Sequence, residues 1–275
     1  MSYIIGKEEL LPLLTSNDIR ICDCRFRIGT PDAGKSEYDQ DHIPGAVYFD
    51  LEKDLSGIVG EHGGRHPLPD LTTFKGKLEA YGITNNTVLV AYDGGEGSYA
   101  SRFVWLLSYL GHRNVHVLDG GYTAWKDAGY PIDTECADYP ATDYHIELND
   151  SVFASYEKVK EYTLKNPDDI VLVDSRESKR YEGIEEPIDK KAGHIPGAVN
   201  KLWTKVLDNG HFKKKEELQE NFSDIDRDKE IIVYCGSGVT ASPNYIALKE
   251  AGFKHVLIYI GSFSDWISYD DNPIQ

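Results

Sequence analysis

The segment IIVYCGSGVTASPNYIALKEAG (231–252) changes character twice. Ile231, Ile232, Val233 and Tyr234 make a short apolar run of the kind that becomes a buried strand. Cys235 to Thr240 form a loop that contains Gly236 and Gly238. Apolar residues then recur at helical spacing, with Ser242 and Pro243 as a start signal and Gly252 as a stop. A strand, a tight loop and a helix in series aim backbone N–H groups into the loop's concavity. Two glycines let those amides converge, and Ser237 and Thr240 add hydroxyls. Free cysteine has a pKa near 8.5, which a helix N-terminus lowers, and the thiolate is the nucleophile. Cys235 therefore reads as a nucleophile whose cradle would equally hold a persulfide, Cys–S–S⁻. The plainer reading is a buried cysteine in an ordinary strand-to-helix turn.

Outward from this loop the chain repeats itself. ICDCRF (21–26) returns as LVDSRE (172–177), and DHIPGAV (41–47) as GHIPGAV (193–199). VLVAYDGG (88–95) returns as IIVYCGSG (231–238), and VLDGGYTAW (117–125) as IYIGSFSDW (258–266). Four matches in one order mean two copies of one domain, at 1–130 and 151–275. Residues 131–150, rich in turn formers, join them as a linker. Each copy alternates β-rich runs with amphipathic helical stretches. That predicts an α/β fold of two tandem domains, each a small, mostly parallel sheet flanked by helices. Ligands of such sheets bind at the carboxyl ends of the strands, where the 235–240 loop falls. Aligned on their strands, the copies place Asp93 opposite Cys235. The second copy is thus expected to carry the chemistry. The first, with its longer insertion at 49–70, would shape the entrance to the site.

Composition narrows the partners. The chain has 275 residues, 40% of them hydrophobic, and a formal net charge of −17. Nucleic acid and anionic membrane are poor partners for such a charge. No apolar run is long enough to span a bilayer. The start, MSYIIGKEELLPLL, lacks the pattern of a signal peptide, which predicts a cytoplasmic protein. Cys22, Cys24, Cys136 and Cys235 contain no C-x-x-C pair and no metal-ligand spacing, so neither a disulfide framework nor a metal site is expected. A cysteine phosphatase needs an arginine six residues after its cysteine to clamp phosphate. Here that residue is Ala241, and no arginine follows Arg227.

The paired motifs resemble the tandem-domain rhodanese (sulfurtransferase) family over essentially the whole chain. CGSGVT is similar to the active-site loop of 3-mercaptopyruvate sulfurtransferases. Vertebrate-type thiosulfate sulfurtransferases usually carry basic residues where Gly236 and Ser237 stand. The resemblance implies ping-pong transfer without a cofactor: Cys235 takes sulfur from a small anionic donor as a persulfide. It then passes that sulfur to a thiol or cyanide, a thioredoxin-like protein being one such acceptor. Gly236, Ser237, Gly238, Val239 and Thr240 would line the donor site. Arg180 matches the family's substrate-binding arginine, and a fork of N–H donors suits a carboxylate. Arg176 reads as the cation of a structural ion pair. Mercaptopyruvate enzymes carry a second arginine shortly before GHIPG. Here Ile188 and Asp189 fall at that place, with Lys190 and Lys191 as candidate replacements. Ser237, with Asp50 and His66 from the first copy, matches a proton relay proposed for those enzymes. The plainer readings are a helix cap for Asp50 and a polar loop residue for His66. A loop without cations favours 3-mercaptopyruvate as donor. The alternatives are thiosulfate as donor and a non-enzymatic persulfide carrier.

Overall fold

A computed structural model of the chain describes residues 2–30, 32–165 and 167–275. It divides into two compact units, one for each copy of the repeat. The first holds the chain up to Gly57, Pro69–Leu148 and Asn209–Phe212. The second holds Ile58–Leu68, Asn149–Asp208 and Lys213–Gln275. The segment 58–68, inside the first copy's insertion, is fixed in the second unit by side chains of the closing GSFSDW stretch. Gly63 N–H donates to Asp265 Oδ1 at 2.7 Å, and Arg65 N–H to Ser264 Oγ at 3.1 Å.

In the first unit the strands are β1 (Ile4–Ile5), β2 (Ile19–Asp23), β3 (Ala46–Tyr48), β4 (Val88–Tyr92) and β5 (Val115–Leu118). They form a fully parallel sheet in the order β1-β5-β4-β2-β3. The helices are α1 (Lys7–Leu10), α2 (Ala33–Gln40), α3 (Leu71–Ala80), α4 (Ser98–Tyr109) and α5 (Gly121–Asp127). The second unit repeats the plan. Strands β6 (Phe153–Ala154), β7 (Ile170–Asp174), β8 (Val199–Asn200), β9 (Glu230–Tyr234) and β10 (Val256–Tyr259) lie in the order β6-β10-β9-β7-β8, again all parallel. Helices α6 (Tyr156–Lys165), α7 (Ser178–Tyr181), α8 (Lys215–Asn221), α9 (Ala241–Ala251) and α10 (Ser262–Trp266) connect and flank them. Strands covered on both faces need continuous apolar runs, and VLVAY (88–92) and IIVY (231–234) supply them. Helix α9 stops at Gly252, whose φ of +98° suits a residue without Cβ.

The repeated motifs have physical causes. In register, Tyr92 pairs with Asp23 and Tyr234 with Asp174. Each aspartate holds an arginine two residues on, Arg25 or Arg176, through the guanidinium. Each arginine reaches on to the carbonyl just before the histidine of HIPGAV, Asp41 at 2.6 Å and Gly193 at 2.7 Å. The motifs at 21–26 and 41–47, and their copies, are thus two halves of one buried ion-pair joint. Arg176 is 1% exposed. Burial opposes its charge, but Asp174 more than offsets this and holds its pKa above the ordinary arginine value. The repeated tryptophan closes each unit. Trp125 Nε1 donates to Pro131 O at 2.8 Å, and Trp266 Nε1 to Pro273 O at 2.9 Å.

Candidate active site

The β9–α9 loop is held down by its carbonyls. Cys235 O accepts from Phe263 N–H and Gly236 O from Ser264 N–H, both at 2.9 Å. Gly238 adopts φ +77°, a left-handed conformation that costs an L-residue about 1–2 kcal/mol. The turn brings Gly238 N–H to 3.1 Å from Cys235 Sγ. Cys235 is 1% exposed, so the donor acts on a desolvated sulfur, where a fixed dipole is worth more than in water. Val239 is buried. Thr240 stands at the N-cap position of α9 without a side-chain capping bond, and Ser242 Oγ donates instead to Gly238 O at 3.2 Å. The start signal expected at Ser242 and Pro243 thus lies just inside a helix that begins at Ala241.

Ser262 was not singled out by the sequence reading. Its φ is +56°, one of three positive-φ non-glycine residues among the described residues. The repeat alignment places Gly121, with φ +58°, at the same point of the first unit. The second unit therefore holds a strained backbone and gains a hydroxyl. Ser262 Oγ accepts Cys235 N–H at 3.1 Å, donates to Tyr259 O at 2.9 Å and lies 4.0 Å from Cys235 Sγ. A serine opposite a glycine in the internal repeat was the available signal.

Ser237 Oγ and His66 Nδ1 are 2.8 Å apart. His66 reaches this loop because the segment 58–68 belongs to the second unit. Asp50 belongs to the first unit, where it caps its own turn. Its Oδ1 accepts from Glu52 N–H at 2.9 Å and Lys53 N–H at 3.0 Å, and its Oδ2 from Tyr48 OH at 3.3 Å.

Charge beside the loop comes from a ladder of ion pairs. Arg176 bonds Asp174 and Glu186; Glu186 bonds Arg180; Arg180 bonds Asp189; Asp189 bonds Arg65. A Cβ on Gly236 would lie 2.7 Å from Arg65 Nη2 and 3.4 Å from Arg180 Nη2. The loop itself has no cation, but two guanidiniums occupy the space that a side chain at 236 would take. Arg65 was missed by the sequence reading, although it immediately precedes His66. Burial lowers its pKa from the ordinary arginine value, Cys235 opposing and Arg180 reinforcing the shift. Of the two candidate replacement lysines, Lys191 lies 4.0 Å from Asp270 on an exposed edge. A cavity of about 560 Å³ opens here, lined among others by Arg65, Asp189, Lys190, Lys191 and Ser264.

In the first unit the equivalent of Cys235 is Asp93. Its Oδ1 accepts from Gly95 and Gly97 N–H, and its Oδ2 from Tyr99 and Ala100 N–H, at 2.9–3.2 Å. The other cysteines are differently placed. Burial raises the thiol pKa of both Cys22 and Cys24, and Cys136 is exposed. No cluster of three or more histidine, cysteine or carboxylate side chains able to hold a metal occurs among the described residues. No helix among them is long and apolar enough to cross a membrane.

Residues 7–128 and 157–269 each match the rhodanese-like domain. The chain belongs to the rhodanese family. A protein of Pseudomonas aeruginosa named "Probable 3-mercaptopyruvate sulfurtransferase" is 39% identical, across 99% of this chain and 98% of that one. A thiosulfate sulfurtransferase of Gallus gallus is 32% identical, across 90% of this chain and 86% of that one. The crystal structure of SseA from Escherichia coli superposes with a TM-score of 0.84 at 30% identity, covering 96% of this chain and 100% of that one. Like these rhodanese relatives, the protein is a sulfurtransferase with the fold expected from its repeat.

Proposed function

We propose that Cys235 carries sulfane sulfur from a small anionic donor, 3-mercaptopyruvate in preference to thiosulfate, to a thiol or cyanide. The Cys235 thiolate attacks the donor sulfur. A sulfur–sulfur bond forms, the donor's carbon–sulfur bond breaks, and its electron pair leaves on carbon as the enolate of pyruvate. A proton must reach that carbon, and the net products are pyruvate and the persulfide anion. Sulfite leaving from thiosulfate needs no such proton. The observation that supports the donor preference is therefore the 2.8 Å contact between Ser237 and His66, which we read as a proton path. The family resemblance also matches Asp50 to the carboxylate of the relay. Gly236, Gly238, Val239 and Thr240 form the loop around the transferred sulfur, and Arg180, joined by Arg65, faces the donor's carboxylate. The acceptor then attacks the outer sulfur and regenerates the thiolate. A thioredoxin-like dithiol protein is a suitable acceptor beside small thiols. All four cysteines are free, which supports a reducing, cytoplasmic setting.

The test is a paired steady-state assay with 3-mercaptopyruvate and thiosulfate, each with a thiol or cyanide acceptor, with Cys235→Ser as control. The expected result is a larger kcat/KM for mercaptopyruvate and none for the control. A larger value for thiosulfate overturns the donor assignment. Persulfide on Cys235 without turnover makes the protein a carrier.

A further inference from the structure

Arg65 and Arg180 meet over Gly236 with one carboxylate, Asp189, between them. That carboxylate is not a chance surface neighbour. Its side chain is 2% exposed. Glu186 fixes the backbone that presents it, since Glu186 Oε1 accepts from Ile188 N–H at 3.1 Å and Asp189 N–H at 2.9 Å. Glu186 is itself held by Arg176 and Arg180. The connected cluster therefore contains three cations, Arg65, Arg176 and Arg180, and three carboxylates, Asp174, Glu186 and Asp189. It is neutral before any donor enters.

We propose that Asp189 sets the charge of the accepted donor, leaving the Arg65–Arg180 clamp matched to one negative charge rather than two. The inference rests on the sulfur-transfer reading for its chemistry, but anion binding alone can test it. A monoanion arriving beside Gly236 shares the two guanidiniums with Asp189. A dianion in the same place gains a second attraction to each arginine, but also meets Asp189 with twice the repulsion. Removing the Asp189 charge therefore helps the dianion more. At an effective dielectric near 20, one added unit charge about 6–12 Å away changes occupancy by on the order of ten- to a hundredfold.

The variant is Asp189→Asn, which keeps shape and an acceptor oxygen but not the charge. Two ratios are read. The first is kcat/KM for thiosulfate over kcat/KM for 3-mercaptopyruvate, expected to rise about tenfold or more. The second uses no turnover: sulfate and pyruvate each protect Cys235 from iodoacetamide, followed by peptide mass. Sulfate protection should tighten about tenfold relative to pyruvate. A merely structural lesion lowers both donors together and leaves the ratios unchanged. Asp189→Glu should return both ratios toward wild type. Arg65→Gln should move them the opposite way, which keeps the idea testable if Asp189→Asn fails to fold. If wild type transfers sulfur from neither donor but the protection ratio moves, the transfer reading fails and the charge assignment stands. If turnover is intact and neither ratio moves in any variant, the charge assignment is overturned.

Discussion

Ser262→Gly installs the residue that the first unit carries at the same point, and it separates the placement of Cys235 from stability. Serine at φ +56° is strained by about 1–2 kcal/mol. Glycine removes that strain but adds about 0.5–1 kcal/mol of unfolded-state entropy. The substitution also takes away the acceptor of the buried Cys235 N–H, 3.1 Å away, which costs about 1–3 kcal/mol. The terms sum to a net loss centred on about 1 kcal/mol and at most about 3 kcal/mol, a fall in Tm of a few degrees for a chain this long. Sulfur transfer should suffer far more. The hydroxyl pins the residue whose sulfur must meet both the donor and Gly238 N–H, and a misplacement of about 1 Å costs on the order of a hundredfold. The assay is calorimetry alongside the single-turnover rate of Cys235 persulfide formation. We expect a rate lowered ten- to a hundredfold, of the order given by misplacement, with Tm lowered by no more than a few degrees. A rate within twofold of wild type would refute the positioning argument. So would a collapse in stability, which would make Ser262 a structural residue alone.

Asp93→Asn leaves two of the four loop amides of the first unit facing an NH₂ group instead of an oxygen. The expected loss is about 2–4 kcal/mol, read from urea unfolding; an unchanged midpoint would sink the account of that loop. His112 is buried, with Nε2 2.9 Å from Thr87 O and Nδ1 3.2 Å from Tyr144 OH. Burial lowers its pKa from the ordinary value of 6.5. The unfolded chain then binds the proton first, so stability should fall as pH drops below about 6.5, by at most about 1.4 kcal/mol per pH unit. His112→Gln should flatten that part of the Tm-against-pH curve. In thiol labelling at pH 8, exposed Cys136 should react at once, while Cys22 and Cys24 should react only on unfolding. Early labelling of either would contradict their burial.

The fold was legible because both copies obey the same local rules. The strands read as apolar runs, the glycine stop of α9 fell where expected, and four motifs recurred in order. The turn that presents Cys235 was legible for the same reason, since strand, glycine loop and helix are contiguous. Residues brought in from elsewhere in the chain were harder to read. Arg65 arrives on a segment that the repeat assigns to one copy and the contacts assign to the other. Asp189 read as a missing arginine because spacing shows which residue stands at a place, not which cation fills the space beside it. Ser262 needed a backbone angle, and only its mismatch with Gly121 hinted at it.

The two cradles show how one copy could carry the proposed chemistry while both keep the fold. In the first unit a fixed carboxylate satisfies the loop's amides from within, so that loop is complete without a ligand and its anion cannot leave. In the second, sulfur is a weaker acceptor than a carboxylate. Gly238 N–H meets Cys235 Sγ, while Ser262 takes the cysteine's own amide. That loop is satisfied best when the sulfur carries negative charge, as thiolate or as persulfide. A persulfide moves the charge one atom outward, and Arg65 and Arg180 stand beside the neighbouring Gly236. In the proposed transfer, the two guanidiniums assigned to the donor's anion would also attract the charge on the terminal sulfur after the donor has gone. The cations come from outside the loop, and a side chain at 236 would collide with them, since its Cβ would lie 2.7 Å from Arg65 Nη2.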